Sequence, residues 1–201
     1  VYRFQVVNII LFLPPVLVNM KYIYRFIFFR LMGWKIVGAI EPSLKKCVMI
    51  VVPHTSWIDF FIGVMARGSI GLEMHYVAKK ELFVFPFSTW FRWMGGTPLD
   101  RQKNENKVDA IAAIFIRRKV FRLAIAPEGT RKKVDCWKTG FYYIALKANV
   151  PVVAVAFDYG KKQVKIAAPF YPTTNKDADF KILESHYKGI TGYVPEYSYK
   201  N

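Results

Sequence analysis

The chain has 201 residues, of which 53% are hydrophobic and 17% aromatic, and its 30 Lys and Arg against 14 Asp and Glu give a formal charge of +16. That composition excludes intrinsic disorder, which pairs high net charge with low hydrophobicity. The length fits one domain with a short appendage, large enough to bury a core without cross-links. Positive charge combined with this much apolar mass, and no recognisable nucleic-acid motif, argues against a DNA or RNA binder and for an anionic membrane surface as partner.

Residues 1–40 hold five basic side chains (Arg3, Lys21, Arg25, Arg30 and Lys35) and no acid. The longest apolar run, Ile9 to Val18, is interrupted by Pro14-Pro15. It falls short of the about 20 apolar residues a spanning helix needs. Two short oily segments, near 4–13 and 15–32, are predicted to hinge at the proline pair. In the second, the cations at 21, 25 and 30 recur near helical spacing. Lys and Arg there are placed to snorkel to phosphates while Tyr22, Phe26, Phe28 and Phe29 enter the acyl boundary. Residues 1–32 therefore read as membrane-interface helices ahead of the main domain, 33–201. A pair of helices packed on the core is the alternative.

Beyond that point, apolar runs alternate with amphipathic stretches. Strands are expected at Trp34–Ala39, Val48–Val52, His75–Ala78, Arg122–Ala126, Pro151–Phe157 and Gln163–Ala167. Helices are expected at Trp57–Arg67, Leu82–Met94, Asn104–Lys119, Thr139–Asn149 and Asp177–Lys188. In Asn104–Lys119, Val108, Ile111, Ala112, Phe115 and Ile116 make the i, i+3, i+4, i+7, i+8 stripe, with Asn104 as N-cap. This alternation predicts an α/β fold, a mainly parallel sheet flanked by helices. Chemistry in such sheets gathers where strands end and helices begin.

The first such junction is Pro53-His54-Thr55-Ser56-Trp57-Ile58-Asp59. On one straight helix, a spacing of five sets side chains about 140° apart, so they would not meet. They meet if His54 lies in the turn before the helix and Asp59 in its first turns, with Thr55 or Ser56 as N-cap. Asp59 then orients the imidazole and leaves its far nitrogen free as a base. A histidine that only braces the helix is the alternative. Ser56 is not read as a hydrolase nucleophile, since no G-x-S-x-G elbow is present. Cys47 and Cys136 read as small buried thiols, and with three histidines and no HExxH or CxxC pattern no metal site is expected. The run from Leu82 to Met94 is the most aromatic in the chain. It reads as core, as the lining of an acyl-chain tunnel, or as a bilayer contact.

Three further blocks follow: Gly95-Gly96-Thr97-Pro98-Leu99-Asp100-Arg101, Pro127-Glu128-Gly129-Thr130-Arg131 and Val150-Pro151-Val152-Val153. With the histidine–aspartate box, their order and spacing over about residues 53–157 resemble the glycerolipid acyltransferase family of 1-acylglycerol-3-phosphate (lysophosphatidate) acyltransferases. The resemblance implies a glycerol-3-phosphate acyltransferase-like fold. It also implies that His54 is the general base and Asp59 its orienting partner. It places Arg101 at the acceptor's phosphate, has Glu128 and Gly129 shape the acceptor site, and makes Arg131 and Lys79 further cations there. Pro53 stands where the family often has Asn, and Asp100 sits beside Arg101. The expected reaction moves a fatty acyl group from acyl-CoA or acyl-carrier protein to the hydroxyl of a lysolipid, 1-acylglycerol 3-phosphate first, without a cofactor. A lyso-aminolipid or another single-chain lipid is the alternative acceptor, and a non-catalytic lipid-binding module the alternative function. The expected location is the cytoplasmic face of the inner or plasma membrane.

Overall fold

The computed structural model describes residues 20–79, 83–85, 87–99 and 107–199. Within them lies a seven-stranded sheet of order β1-β7-β6-β2-β5-β3-β4. Its strands are β1 (Lys35–Val37), β2 (Lys46–Val52), β3 (His75–Lys79), β4 (Gly96–Leu99), β5 (Phe121–Ile125), β6 (Val152–Asp158) and β7 (Gln163–Ile166). The run β4-β3-β5-β2-β6 is parallel throughout. β7 turns back antiparallel to β6 and carries β1 with it. The mainly parallel expectation therefore holds, with a reversed pair at one edge. β4 was not expected, because Gly-Gly-Thr-Pro has little strand propensity. It forms at the sheet edge, where Pro98 is tolerated for lack of a ladder hydrogen bond to donate outward.

The period of two in β2 divides the core. Val48, Ile50 and Val52 join Phe121, Leu123, Val152, Ala154 and Ala156 on one face. That face is covered by α4 (Lys107–Arg117), α5 (Gly140–Ala148) and α6 (Lys176–Ser185). Cys47 and Met49 join Val153, Val155 and Phe157 on the other, beneath α2 (Ile58–Ile70). Being covered on both faces is why these strands read as unbroken apolar runs rather than alternating ones. The aromatic run yields a shorter helix than expected, α3 (Phe87–Trp93). Val84, Phe85 and Trp93 are exposed, Phe85 at 95%, so core packing does not account for them.

Residues 20–25 form α1, which continues as the π-helical turn Phe26–Leu31. This helix docks on α2. A Cβ at Gly68 would lie 2.5 Å from the Tyr24 ring, so only glycine lets the two helices approach this closely. Phe28 is fully buried beside Trp34 in the lower core, so it does not enter an acyl boundary as expected. Tyr22, Ile23, Phe26 and Leu31 stay exposed, among the cations Lys21, Arg25 and Arg30. No helix among the described residues is long and apolar enough to cross a membrane. The proline hinge and the segment before residue 20 lie outside the described residues, as does the Asn104 cap. Of the two thiols, Cys47 is buried as expected and Cys136 is exposed, and both are free. Burial pushes the Cys47 thiol up to about 12, partly opposed by Arg122, so it stays an inert core group.

Candidate active site

Three adjacent strands build the site at their C-terminal ends. β2 lies between β5 and β6, in register Ile50↔Ile125 and Val52↔Ala156. Continuing that register sets Glu128-Gly129 on one side of His54 and Asp158-Tyr159 on the other. This is how residues 74 positions apart come to touch. A central parallel strand with two parallel neighbours allows it, since all three chains leave the sheet at the same end.

At the end of β2 the chain passes through Pro53, turns over His54–Ser56 and enters α2. Ser56 Oγ accepts the Ile58 amide at 3.2 Å, but the N-cap position of α2 is Trp57, without a side-chain cap, so Ser56 is not the N-cap expected. Thr55 does not cap, because its Oγ1 accepts the Val194 amide at 3.1 Å and ties the turn to the C-terminal segment. Asp59 in the first turn of α2 folds back over the loop, and its Oδ2 lies 3.0 Å from His54 Nδ1. The same oxygen accepts the Thr55 and Ser56 amides at 2.8 and 2.9 Å. Asp59 Oδ1 accepts the Tyr159 hydroxyl at 2.7 Å. The carboxylate is 2% exposed, so these donors are what permit a charge there. An ionised carboxylate only accepts, so Nδ1 of His54 carries the proton in this pair and Nε2 is left free. His54 is partly exposed, and its ring opens onto solvent and a cavity.

Glu128 closes the other side. Its Oε2 accepts the His54 amide at 2.6 Å, and the side chain is buried. The carboxylate thus fixes the backbone that carries the imidazole and forms no local pair with Arg131, which is exposed. Burial pushes the Glu128 carboxyl up to about 7, opposed by the His54 amide. Gly129 has φ +66°, and a Cβ there would lie 2.7 Å from Lys138 Nζ. Glycine is needed for the left-handed turn, and the end of the Lys138 chain lies across it. The sequence alone reads Trp137–Phe141, with Lys138 in it, as structure or site shaping, and it assigns Tyr159 no role. The only signal for Tyr159 was its place just past a central strand beside β2.

A cavity of about 210 Å³ begins at His54 and Asp59 and runs under α2. Asp59, Gly63 and Arg67 line it at i, i+4, i+8, with Val51, Ile125, Met74, Met94 and Phe157 opposite. A larger hollow of about 400 Å³ around Lys45, Glu73 and Arg122 lies at the other end of the strands and shares no residue with the His54–Asp59 turn. Lys79 ends β3, at the same end of the sheet as the His54 turn. Arg101 lies outside the described residues. Among the described residues no cluster of His, Cys, Asp and Glu is arranged to hold a metal ion.

The sequence pattern of the acyltransferase family matches residues 35–158, from β1 to the end of β6. The 1-acyl-sn-glycerol-3-phosphate acyltransferase of Saccharomyces cerevisiae is 30% identical over 129 residues, covering 60% of this chain and 41% of that protein. The protein of the same name from Bacillus subtilis is 26% identical over 165 residues, covering 76% of this chain and 79% of its own. That from Salmonella typhimurium is 32% identical over 96 residues, covering 45% and 39%. The matched part is thus less than half of the yeast and Salmonella relatives. The crystal structure of PlsC, the 1-acyl-sn-glycerophosphate acyltransferase of Thermotoga maritima, superposes with a TM-score of 0.59 at 19% identity. The superposition covers 85% of this chain and 76% of that one, which establishes a shared fold.

The Glu128 carboxyl has a measurable consequence. Held above its ordinary value, it keeps a proton in the native chain that the unfolded chain has released. Its contribution to stability is full below about 4.5 and is lost as pH rises through about 7. Glu128→Gln keeps an oxygen for the His54 amide but does not titrate. The difference in unfolding free energy between wild type and variant should change by on the order of 2–3 kcal/mol between pH 5 and pH 8, to the wild type's disadvantage at pH 8. Denaturant unfolding at the two pH values measures it, and a pH-independent difference would contradict the assignment.

Proposed function

The chain belongs to the acyltransferase family, and from that premise we propose that it moves a fatty acyl group from a thioester donor to the hydroxyl of a lysophospholipid, with 1-acylglycerol 3-phosphate as acceptor. The observation that carries this reading is His54, with Nδ1 tied to Asp59 and Nε2 free, at the mouth of an apolar cavity. The names of the yeast and Bacillus relatives support the choice of acceptor.

In the proposed reaction, His54 Nε2 takes the proton of the acceptor hydroxyl as the oxygen attacks the thioester carbonyl. Asp59 stabilises the imidazolium that forms, and its buried, hydrogen-bonded oxygens keep the ring from rotating away. The tetrahedral intermediate collapses by breaking the carbon–sulfur bond, and the imidazolium returns the proton to the departing thiolate. The products are the ester and a free thiol, on coenzyme A or on a carrier protein. The cavity beneath α2 suits the donor's acyl chain, since its walls are mostly apolar and an alkyl group gains by leaving water for them. Lys79, Arg101 and Arg131 are the cations we assign to the acceptor's phosphate, with Gly129 and Glu128 shaping the turn beside it. Guanidinium groups suit that task because their planar fork meets two phosphate oxygens at once.

The same reading puts the chain on an anionic bilayer. Tyr22, Ile23, Phe26 and Leu31 form an exposed apolar set flanked by Lys21, Arg25 and Arg30, which supports an interfacial helix. Phe85 and Trp93 offer further apolar contact. A lysolipid acceptor is itself delivered by a membrane, so contact there also brings the substrate.

Two experiments test these assignments. Acyl transfer from acyl-CoA and from acyl-carrier protein should be followed with lysophosphatidate and with a lyso-aminolipid as acceptors. His54→Ala should lower kcat with lysophosphatidate by about 10²–10⁴-fold while the thermal melt stays cooperative. Wild-type turnover in a folded variant would overturn the mechanism, and turnover with the aminolipid alone would overturn the acceptor. For the bilayer, Phe26→Ser with Leu31→Ser should release the protein from anionic vesicles in a flotation assay. Unchanged flotation would remove this helix as the contact.

A further inference from the structure

Asp59 is held by more than the histidine turn. Tyr159 follows β6 directly, and its hydroxyl donates to Asp59 Oδ1 at 2.7 Å across 100 residues of sequence. The phenol is fixed from several sides. The Trp34 ring meets it edge-on with centroids 4.9 Å apart, and the Tyr193 ring does so at 5.4 Å. Its amide donates to the Thr191 carbonyl at 2.8 Å, and its carbonyl accepts the Lys162 amide at 3.4 Å. Such a side chain is not free to follow the carboxylate. The carboxylate must come to it.

We propose that Tyr159 is a positioning residue for acyl transfer, its hydroxyl fixing the plane of the Asp59 carboxylate and limiting how strongly Asp59 draws the His54 imidazolium. The proposal rests on His54 acting as the base, and its test is chosen so that the two can fail separately. Physically, Oδ1 and Oδ2 share one negative charge. A donor on Oδ1 withdraws charge from Oδ2, the oxygen facing His54 Nδ1. Without that donor, Oδ2 becomes a stronger acceptor, the imidazolium is held more firmly, and His54 surrenders its proton to the leaving thiolate less readily. The carboxylate also gains freedom to rotate, which loosens the ring it orients. The charged and titratable groups facing this pair are few among the described residues. Glu128 lies on the β5 side, bonded to the His54 amide, and Tyr193 lies behind Tyr159. The cavity is lined by Arg67 on α2, whose Nη1 is turned to the Met74 carbonyl, and by His75 and Tyr76 on β3. None of these donates to Oδ1.

Two variants at one position give opposite signs. Tyr159→Phe keeps the edge-on contact with Trp34 and removes only the donor. Replacement of Tyr159 by 3,5-difluorotyrosine keeps the shape and makes the hydroxyl a stronger donor. With lysophosphatidate in vesicles of fixed composition, the acid limb of kcat/KM should move to higher pH in the Phe variant and to lower pH in the fluorinated one. Plateau kcat should fall roughly tenfold in the Phe variant, the scale of one charged hydrogen bond. Independently of activity, the Nδ1 proton of His54 should move downfield in the Phe variant and upfield in the fluorinated one, the resonance being assigned by its loss in His54→Gln. Unmoved limbs and an unmoved resonance would overturn the proposal, as would shifts of the same sign in both variants, which would mark a packing effect. A resonance that moves as expected while His54→Ala retains full turnover would sink the catalytic reading of His54 instead, leaving the Tyr159–Asp59–His54 coupling standing.

Discussion

A carboxylate 2% exposed inside a protein is tolerated only if its charge is met by donors, and the structure around Asp59 is organised by that requirement. Two donors are the amides of Thr55 and Ser56, which forces the chain after β2 into a tight turn over the start of α2. A third is the imidazole that the turn carries. The fourth, Tyr159, comes from the end of the neighbouring strand β6. Asp59 also lies at the positive end of the α2 dipole, which favours an anion there. Local turn, helix start and sheet order therefore answer to one buried charge. An imidazole with one free nitrogen is the product of their agreement.

The sheet makes that agreement possible. Because β5, β2 and β6 are parallel neighbours, the chain leaves all three at the same end, and Glu128, His54 and Tyr159 converge without any long loop. Glu128 fixes the backbone of His54 while Asp59 fixes its ring. The two carboxylates thus divide the work between main chain and side chain. On the lower face, α2 lies over Met49, Val155 and Phe157 and encloses the apolar cavity that starts at the same histidine. The family relationship and the shared fold with the Thermotoga enzyme fit this arrangement.

Much of this was legible in the sequence, and the exceptions have physical reasons. Buried strands such as Val48–Val52 announce themselves because both faces are covered, so every position is apolar. The His54–Asp59 pair could be placed because a strand run ends in Pro53 and a helix pattern begins within four residues. β4 was missed because an edge strand needs neither β-branched residues nor an intact ladder, and Gly-Gly-Thr-Pro carries no strand signal. The reversal of β7 and β1 was missed because pairing direction leaves no mark on composition. Phe28 looked like its exposed neighbour Phe26, and only the docking of the first helix against Gly68 separates them. Tyr159 and the role of Glu128 were hidden for the same reason: each acts through a single long-range hydrogen bond, which no local pattern encodes. Oil and charge occupy different places in the fold. Much of the oil is the two-faced core, while an exposed apolar set with its flanking cations sits on the first helix.

The central claim is that Asp59 holds His54 with the proton on Nδ1 and Nε2 free. Nitrogen-15 NMR of the ring in the neutral state measures it directly, with His54→Gln identifying the signals. The account predicts a protonated Nδ1 and a bare Nε2. A neutral ring with its proton on Nε2 would contradict it, because such a histidine has no free nitrogen facing a substrate hydroxyl.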